Sequence, residues 1–264
     1  LRYNGIDAGN GGETSGISYY YFLSKNGNKV PVNFSISPIK DISGAKVGSV
    51  IILRNDSDRV DFELKLNDSY HKVKNAINSI VLAMAQTLEM RDPYTAGHQR
   101  RVADIALTIA KELNLPGDEV EGVFMASLIH DLGKISIPSE ILSKPSRLSA
   151  LEFDLMKMHP QIGYDILKSM DFPWPLADLV HQHHERCNGS GYPLGLKGDN
   201  ILFGARILSV ADVVEAMASD RPYRPALGID KALEEISSNK GKLYDIDVAN
   251  ACEKIFTHNN YQLT

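Results

Sequence analysis

The apolar residues of this 264-residue chain change their spacing twice, and that change limits what it can fold into. Up to about residue 56 they alternate with polar ones, as in "GISYYYFLSKNGNKVPVNFSISPIKDISGAKVGSVIILRN", broken by Gly/Asn turns at "NGN" and "ISGAKVG". Alternation gives a strand one apolar face, and turns of this kind join strands into antiparallel hairpins. From 57 to about 90 the period lengthens: Leu66, Tyr70, Val73, Ile77, Ile80, Met84 and Thr87 recur in steps of three and four, a heptad seam on one long helix. From about 91 onward "HQRRVADIALTIAKELNL" and "DEVEGVFMASLIHDLG" carry the period of amphipathic helices and stop at Pro or Gly. Ser149 and Glu152 stand at capping-box spacing, and "ARILSVADVVEAMAS" is apolar enough to be a buried helix. The expectation is a mainly α chain in three parts: a small antiparallel β segment (1–56), a linker helix (57–90) and a helical domain (91–264). The seam predicts a parallel homodimer through the linker helix; the alternative is a helix packed on its own domain.

The chain is 43% apolar, enough for a substantial core. Its net charge of −5 argues against binding a nucleic-acid backbone, so no DNA partner is expected, although a locally basic pocket can still take a small phosphate ligand. Cys187 and Cys252 are far apart and form no thiolate motif, which speaks for a reducing compartment. No apolar run has membrane-span length, and no signal peptide is expected. The chain starts at Leu1 without a methionine and in mid-pattern, so it reads as a fragment. The expectation is a cytoplasmic protein, or the cytoplasmic part of a longer, membrane-anchored one.

Within the helical part, ionisable groups stand where a core should close. His130 and Asp131 end the apolar run "SLIHDLGK", His159 precedes Pro160 and is biased out of helix, His183 and His184 are adjacent, His98 opens "HQRRVADIA", and Asp212 lies inside "ILSVADVVEAM". Singly, each has an ordinary reading as a hydrogen-bonded core or surface residue. Together they are harder to place, because a buried carboxylate costs several kcal/mol unless paired or metal-bound. Imidazoles and carboxylates without thiolates suit Fe, Mn and Zn.

Five motifs follow in order: "RDPYTAGHQRRVA", "HDLGKISIPSEIL", "MKMHPQIGYDIL", "HHERCNGSGYPLGLKG" and "ILSVADVVEAMASDRPYRPAL". Over roughly residues 75–256 the chain thereby resembles the HD-GYP family, a branch of the HD phosphohydrolases. The resemblance implies a metal centre held by His98, His130, Asp131, His159, His183, His184 and Asp212, with Asp131 as the bridging carboxylate. It implies two divalent transition metals, Fe first and Mn next, with Ni, Co or Zn also suitable. Some family members place a glutamate four residues ahead of the first histidine to recruit a third metal; here that position is Tyr94, so two are expected. The implied reaction is hydrolysis of cyclic di-GMP to pGpG or GMP by a hydroxide that the metal pair activates.

Lys134 is expected to bind phosphate or help protonate the leaving oxygen, against an ordinary reading as a solvated helix-end lysine. Arg221 and Arg224 are expected to bind the substrate, against an ion pair with Asp220. The resemblance implies that Gly191, Tyr192 and Pro193 bind substrate, in a loop that flanks the site and is a candidate contact for GGDEF-type diguanylate cyclases; Asn188 replaces an aspartate often found there. Glu89 and Asp92 are out of register for a third metal, Cys187 is a packing residue, His181 is not a ligand, and His71 and His258 are surface residues. "NGNKVPVNFSISPIKDISGAKVGSVIILRN" resembles the last three strands of a PAS domain, whose first half is absent or degraded within Leu1 to Gly16. Two rival functions remain: a catalytically idle module that binds cyclic di-GMP and signals by conformation, and an HD hydrolase of a different cyclic dinucleotide.

Overall fold

A computed structural model describes residues 20–91, 97–220, 225–258 and 261. Arg221, Arg224, Tyr94, Asp92 and the stretch from Leu1 to Gly16 lie outside the described residues. The chain divides into two compact units, Leu1–Ala76 and Ile77–Thr264.

In the first unit β1 (Tyr20–Leu23), β2 (Lys29–Lys40) and β3 (Lys46–Asn55) form an antiparallel sheet in that order. Phe34 pairs with Leu53 and Ile36 with Ile51, with a register shift at Ile39/Lys40. Both hairpins fall at the expected turns. The second is closed by the Asp41 carboxylate, which accepts from the Ser43 and Ala45 amides at 2.8 and 3.0 Å. Ile36, Val50, Ile51 and Ile52 are all exposed.

Helix α1 (Ser57–Arg91) continues into the second unit. Leu66, Tyr70, Val73 and Ile80 of its heptad seam are exposed. Its last turns bury Val81, Ala85 and Leu88, a face one step round from the seam, with Met84 packed at the core's margin.

The rest of the second unit is helical: α2 (His98–Glu112), α3 (Gly117–Ile129), α4 (Ser139–Leu142), α5 (Ala150–Met156), α6 (His159–Leu167), α7 (Leu176–Gln182), α8 (Phe203–Ala218), α9 (Ile229–Ser238) and α10 (Ile246–Thr257). Helix α2 buries Val102, Ala103, Ile105, Ala106, Ile109 and Ala110, the stripe its period predicts. It ends where Asn114 takes a positive φ and Pro116 caps α3. Helix α8 is the hub, packing against α2, α3, α7, α9 and α10. It buries Ala205, Ile207, Leu208, Val210, Ala211 and Val214, as its apolar sequence predicts. The capping box at the start of α5 forms, with the Ser149 amide donating to Glu152 at 2.7 Å.

Two features bring distant candidate ligands together. Asp131 starts a 3-10 turn (Leu132–Ser136) that crosses α6 at Gly133, where a Cβ would sit 1.9 Å from the His159 carbonyl oxygen and 2.7 Å from the Gly163 nitrogen. Only glycine permits that approach. His159 opens α6 rather than leaving helix, because proline is tolerated in the first turn, where its missing N–H is not needed.

Candidate metal centre

The site histidines sit at helix ends. His130 follows α3, His183 follows α7, His159 opens α6 and His98 opens α2. Three of them are fixed by their own chain: Nδ1 of His130, His159 and His183 meets the carbonyl three residues earlier, on Ser127, Met156 and Val180, at 2.7, 2.7 and 2.6 Å. A carbonyl only accepts, so each Nδ1 carries the proton and each Nε2 presents a lone pair. The fourth, His98, meets the Glu215 carboxylate through Nδ1.

The Nε2 atoms converge with two carboxylates. His98 Nε2 lies 3.5 Å from Asp212 Oδ1 and 3.8 Å from Asp131 Oδ2, and His130 Nε2 lies 3.8 and 3.5 Å from the same two oxygens. On the other side of Asp131, Oδ1 is 3.4 Å from His159 Nε2, which is 3.2 Å from His183 Nε2. His184 completes that side, its ring centred 4.1 Å from that of His183 and 5.0 Å from that of His159. Three groups have ligand atoms all within 4.8 Å of one another: His98, His130 and Asp212; His159, His183 and His184; and, between them, His130, Asp131 and His183.

The donor set fits divalent transition metals. His130 Nε2 is buried with no hydrogen-bond partner, a state that normally costs 1–3 kcal/mol and that coordination would relieve. The electrostatics agree. Burial pushes Asp131 up, but Lys134, His130, His159 and His98 outweigh it and hold the carboxyl well below its usual range. Burial lowers His159 to about 4, and burial together with neighbouring imidazoles holds His183 and His184 well below the ordinary value. Neutral imidazoles around an ionised carboxylate are the forms that ligate metal.

Lys134 is partly buried, and its Nζ donates to Asp131 Oδ2 at 2.7 Å. Tyr192 lies over the centre, its ring 4.7 Å from that of His184, with burial first and then Asp212 raising its phenol. The Tyr192–Pro193 peptide is cis. Gly191 packs so closely that a Cβ would lie 2.4 Å from Glu185 Cα, while Pro193 is exposed. His181 is occupied elsewhere, bonded to Gln161 at 2.9 Å and stacked on Tyr164, and His71 and His258 are exposed. The Glu89 carboxylate accepts from the Gly97 amide at 3.0 Å, and the Asp220 carboxylate accepts from the Ala226 amide at 2.7 Å.

Sequence reasoning missed three buried polar residues here. Gln99 donates to Asp131 Oδ2 at 3.3 Å. Glu185 accepts from the Leu194, Gly195 and Leu196 amides at 2.7, 3.1 and 2.9 Å, tying the loop after Tyr192 to the end of α7. Glu215 holds His98 and Arg101. Each is sequence-adjacent to a ligand or one helical turn from one, a signal available in principle.

A helical unit whose core converges five imidazoles and two carboxylates on one point defines a metal-binding helical domain. The sequence profile of the HD domain family matches residues 83–248. The chain belongs to that family, and its ordered motifs place it in the HD-GYP branch. Among curated relatives, the cyclic di-GMP phosphodiesterase response regulator RpfG of Xanthomonas campestris is 36% identical over 222 residues, covering 81% of this chain and 59% of the relative. A cyclic di-GMP phosphodiesterase of Thermotoga maritima is 41% identical over 169 residues, covering 63% and 46%. The 3'3'-cGAMP-specific phosphodiesterase 3 of Vibrio cholerae is 35% identical over 191 residues, covering 72% and 40%. The chain thus spans about half the length of these relatives. Among solved structures, an HDG"Y"P protein from Bdellovibrio bacteriovorus shares the fold, with a TM-score of 0.53 at 18% identity over 76% of this chain and 68% of that one.

Proposed function

We propose that this chain is a metal-dependent phosphodiesterase that hydrolyses cyclic di-GMP to pGpG or GMP. The observation that carries the reading is the pair of ligand triads that Asp131 joins, with one carboxylate oxygen facing each. His98, His130 and Asp212 would hold one metal and His159, His183 and His184 the other, with Asp131 shared; Fe or Mn suits this set. Two such cations supply charge to offset the phosphodiester and a nucleophile at neutral pH. The protein's own part is to keep the imidazoles neutral and aimed, and to exclude water from around them. Lys134 has a side chain 18% exposed, reaches the rim from Asp131 and can donate to a phosphate oxygen or to the leaving oxygen. Arg221 and Arg224 are proposed to bind phosphate or the guanine edge. Tyr192 walls the site beside His184, and Pro193 and Leu194 present an exposed face that a GGDEF-type cyclase would contact.

A second substrate has support of its own: relatives at similar identity are named 3'3'-cGAMP-specific phosphodiesterases. The β segment and α1 are proposed as a PAS-like sensor remnant and dimerising linker acting in the cytoplasm. Among the described residues no helix is long and apolar enough to cross a membrane.

The test is anaerobic incubation with Fe or Mn and each dinucleotide in parallel, with products resolved by chromatography. Metal-dependent cleavage of cyclic di-GMP, lost in the His130→Ala/Asp131→Ala double variant, is the expected result. Cleavage of 3'3'-cGAMP alone would move the substrate. Tight binding of cyclic di-GMP without cleavage under any metal would replace the enzyme with a binding module.

A further inference from the structure

The anchors of the site histidines are not alike. His130, His159 and His183 are each held by a carbonyl three residues back, so the ring orientation comes with the local helix. His98 is held from α8, 117 residues away, by the carboxylate of Glu215. Glu215 is completely buried. A buried carboxylate is retained only where other groups offset its desolvation, and here both oxygens are engaged. Oε1 accepts from Arg101 Nε at 2.9 Å and Nη2 at 2.7 Å, and from Ser219 Oγ at 2.8 Å, while Oε2 takes His98 Nδ1. Glu215 also lies one turn beyond Asp212 on α8, so a single helix supplies both a ligand to this half of the site and the support of another ligand.

We propose that Glu215 is the positioning residue of the metal position formed by His98, His130 and Asp212: it fixes His98 as the Nδ1–H tautomer with Nε2 facing Asp212, and strengthens that nitrogen as a donor. Removing a carboxylate partner of this kind typically lowers metal affinity 10–100-fold. At the position formed by His159, His183 and His184, the described anchors of His159 and His183 are backbone carbonyls rather than carboxylates, so the effect is expected at one of the two positions. The inference rests on the reading of the site as a two-metal centre.

The test is titration of the whole chain with Co(II), followed by visible absorption and by metal content after equilibrium dialysis. It compares wild type with Glu215→Gln and with Asp212→Asn, which loses a ligand of the same position. The expected result is two ions in wild type, and in Glu215→Gln a tenfold or greater weakening of the step that Asp212→Asn also weakens, with the other step changed less than twofold. Unchanged binding at both steps, or equal weakening at both, would overturn the proposal. Fewer than two ions in wild type would instead remove the two-metal reading, and the proposal with it. If Glu215→Gln does not fold, the wild-type chain still decides: the imidazole nitrogens of the metal-free protein are read by NMR, with His98 assigned through His98→Gln. A proton on Nδ1 supports the proposal, and one on Nε2 defeats it.

Discussion

Asp131 is buried, yet Lys134, His130, His159 and His98 keep it ionised, and its two oxygens face different imidazoles. Replacement by asparagine removes the charge both triads share, so Asp131→Asn should lose metal at both positions, read as metal content per chain. Lys134 reaches the same carboxylate from the rim and is not one of the converging candidate ligands. Lys134→Met should therefore retain both metals and lose tenfold or more in kcat/KM for the dinucleotide; loss of metal instead would assign Lys134 to the support of Asp131. Glu185 has a structural task. Three amides converge on its carboxylate, and a glutamine would turn an N–H donor toward one of them. Glu185→Gln should destabilise the chain by about 1–3 kcal/mol, the cost of a buried donor without an acceptor. It should also speed amide exchange at Leu194, Gly195 and Leu196.

At the scale of elements, the 3-10 turn after Asp131 and the start of α6 meet backbone to backbone at Gly133. A methyl there must push the turn away from α6, separating Asp131 from His159. Gly133→Ala should destabilise the chain by about 3 kcal/mol, at the severe end for a single substitution, and reduce metal content at the His159 side. Helix α1 makes the opposite kind of statement. Toward its C-terminal end it buries Val81, Ala85 and Leu88, whereas Leu66, Tyr70 and Val73 remain exposed at heptad spacing. If that stripe joins two copies of the chain, Tyr70→Lys with Val73→Glu should convert a dimer to a monomer in sedimentation without altering the far-UV helix signal. An unchanged sedimentation coefficient would count against the dimer.

For the whole molecule, burying neutral imidazoles links stability to pH. In the unfolded chain a histidine protonates near 6.5, whereas folded His159 does so only at about 4, and His183 and His184 are also held low by burial. Between those values the unfolded chain carries more protons, so acidification favours unfolding. For His159 alone the shift corresponds to about 3 kcal/mol. The metal-free protein should hold this stability above pH 6.5 and lose it progressively toward pH 4, read as the urea midpoint across that range. Asp131, lowered rather than raised, acts with the same sign at more acid pH. Bound metal should raise the midpoint by mass action, and a chelator should reverse the gain.

The order of strands, long helix and helical domain was legible because hydrophobic period is a local property of the chain. The candidate ligands stood out as well: His98, His130, Asp131, His159, His183, His184 and Asp212 carry their chemistry in their side chains and stand in motifs, and the fold brings their metal-binding atoms together. What the sequence left open were the partners of those side chains. Ser149 and Glu152, three residues apart, could be paired by eye. Glu215 and His98, on different helices, could not, because their meeting depends on how α8 packs against α2. The same holds for the buried face of α1, which the core selects and the seam does not announce. The sequence by itself determined which elements form and which atoms can bind metal, since both follow from side-chain type and near-neighbour spacing. Only the tertiary structure decided how those atoms are aimed, because a ring's orientation is set by whatever meets its other nitrogen, and for His98 that group arrives from a remote part of the chain.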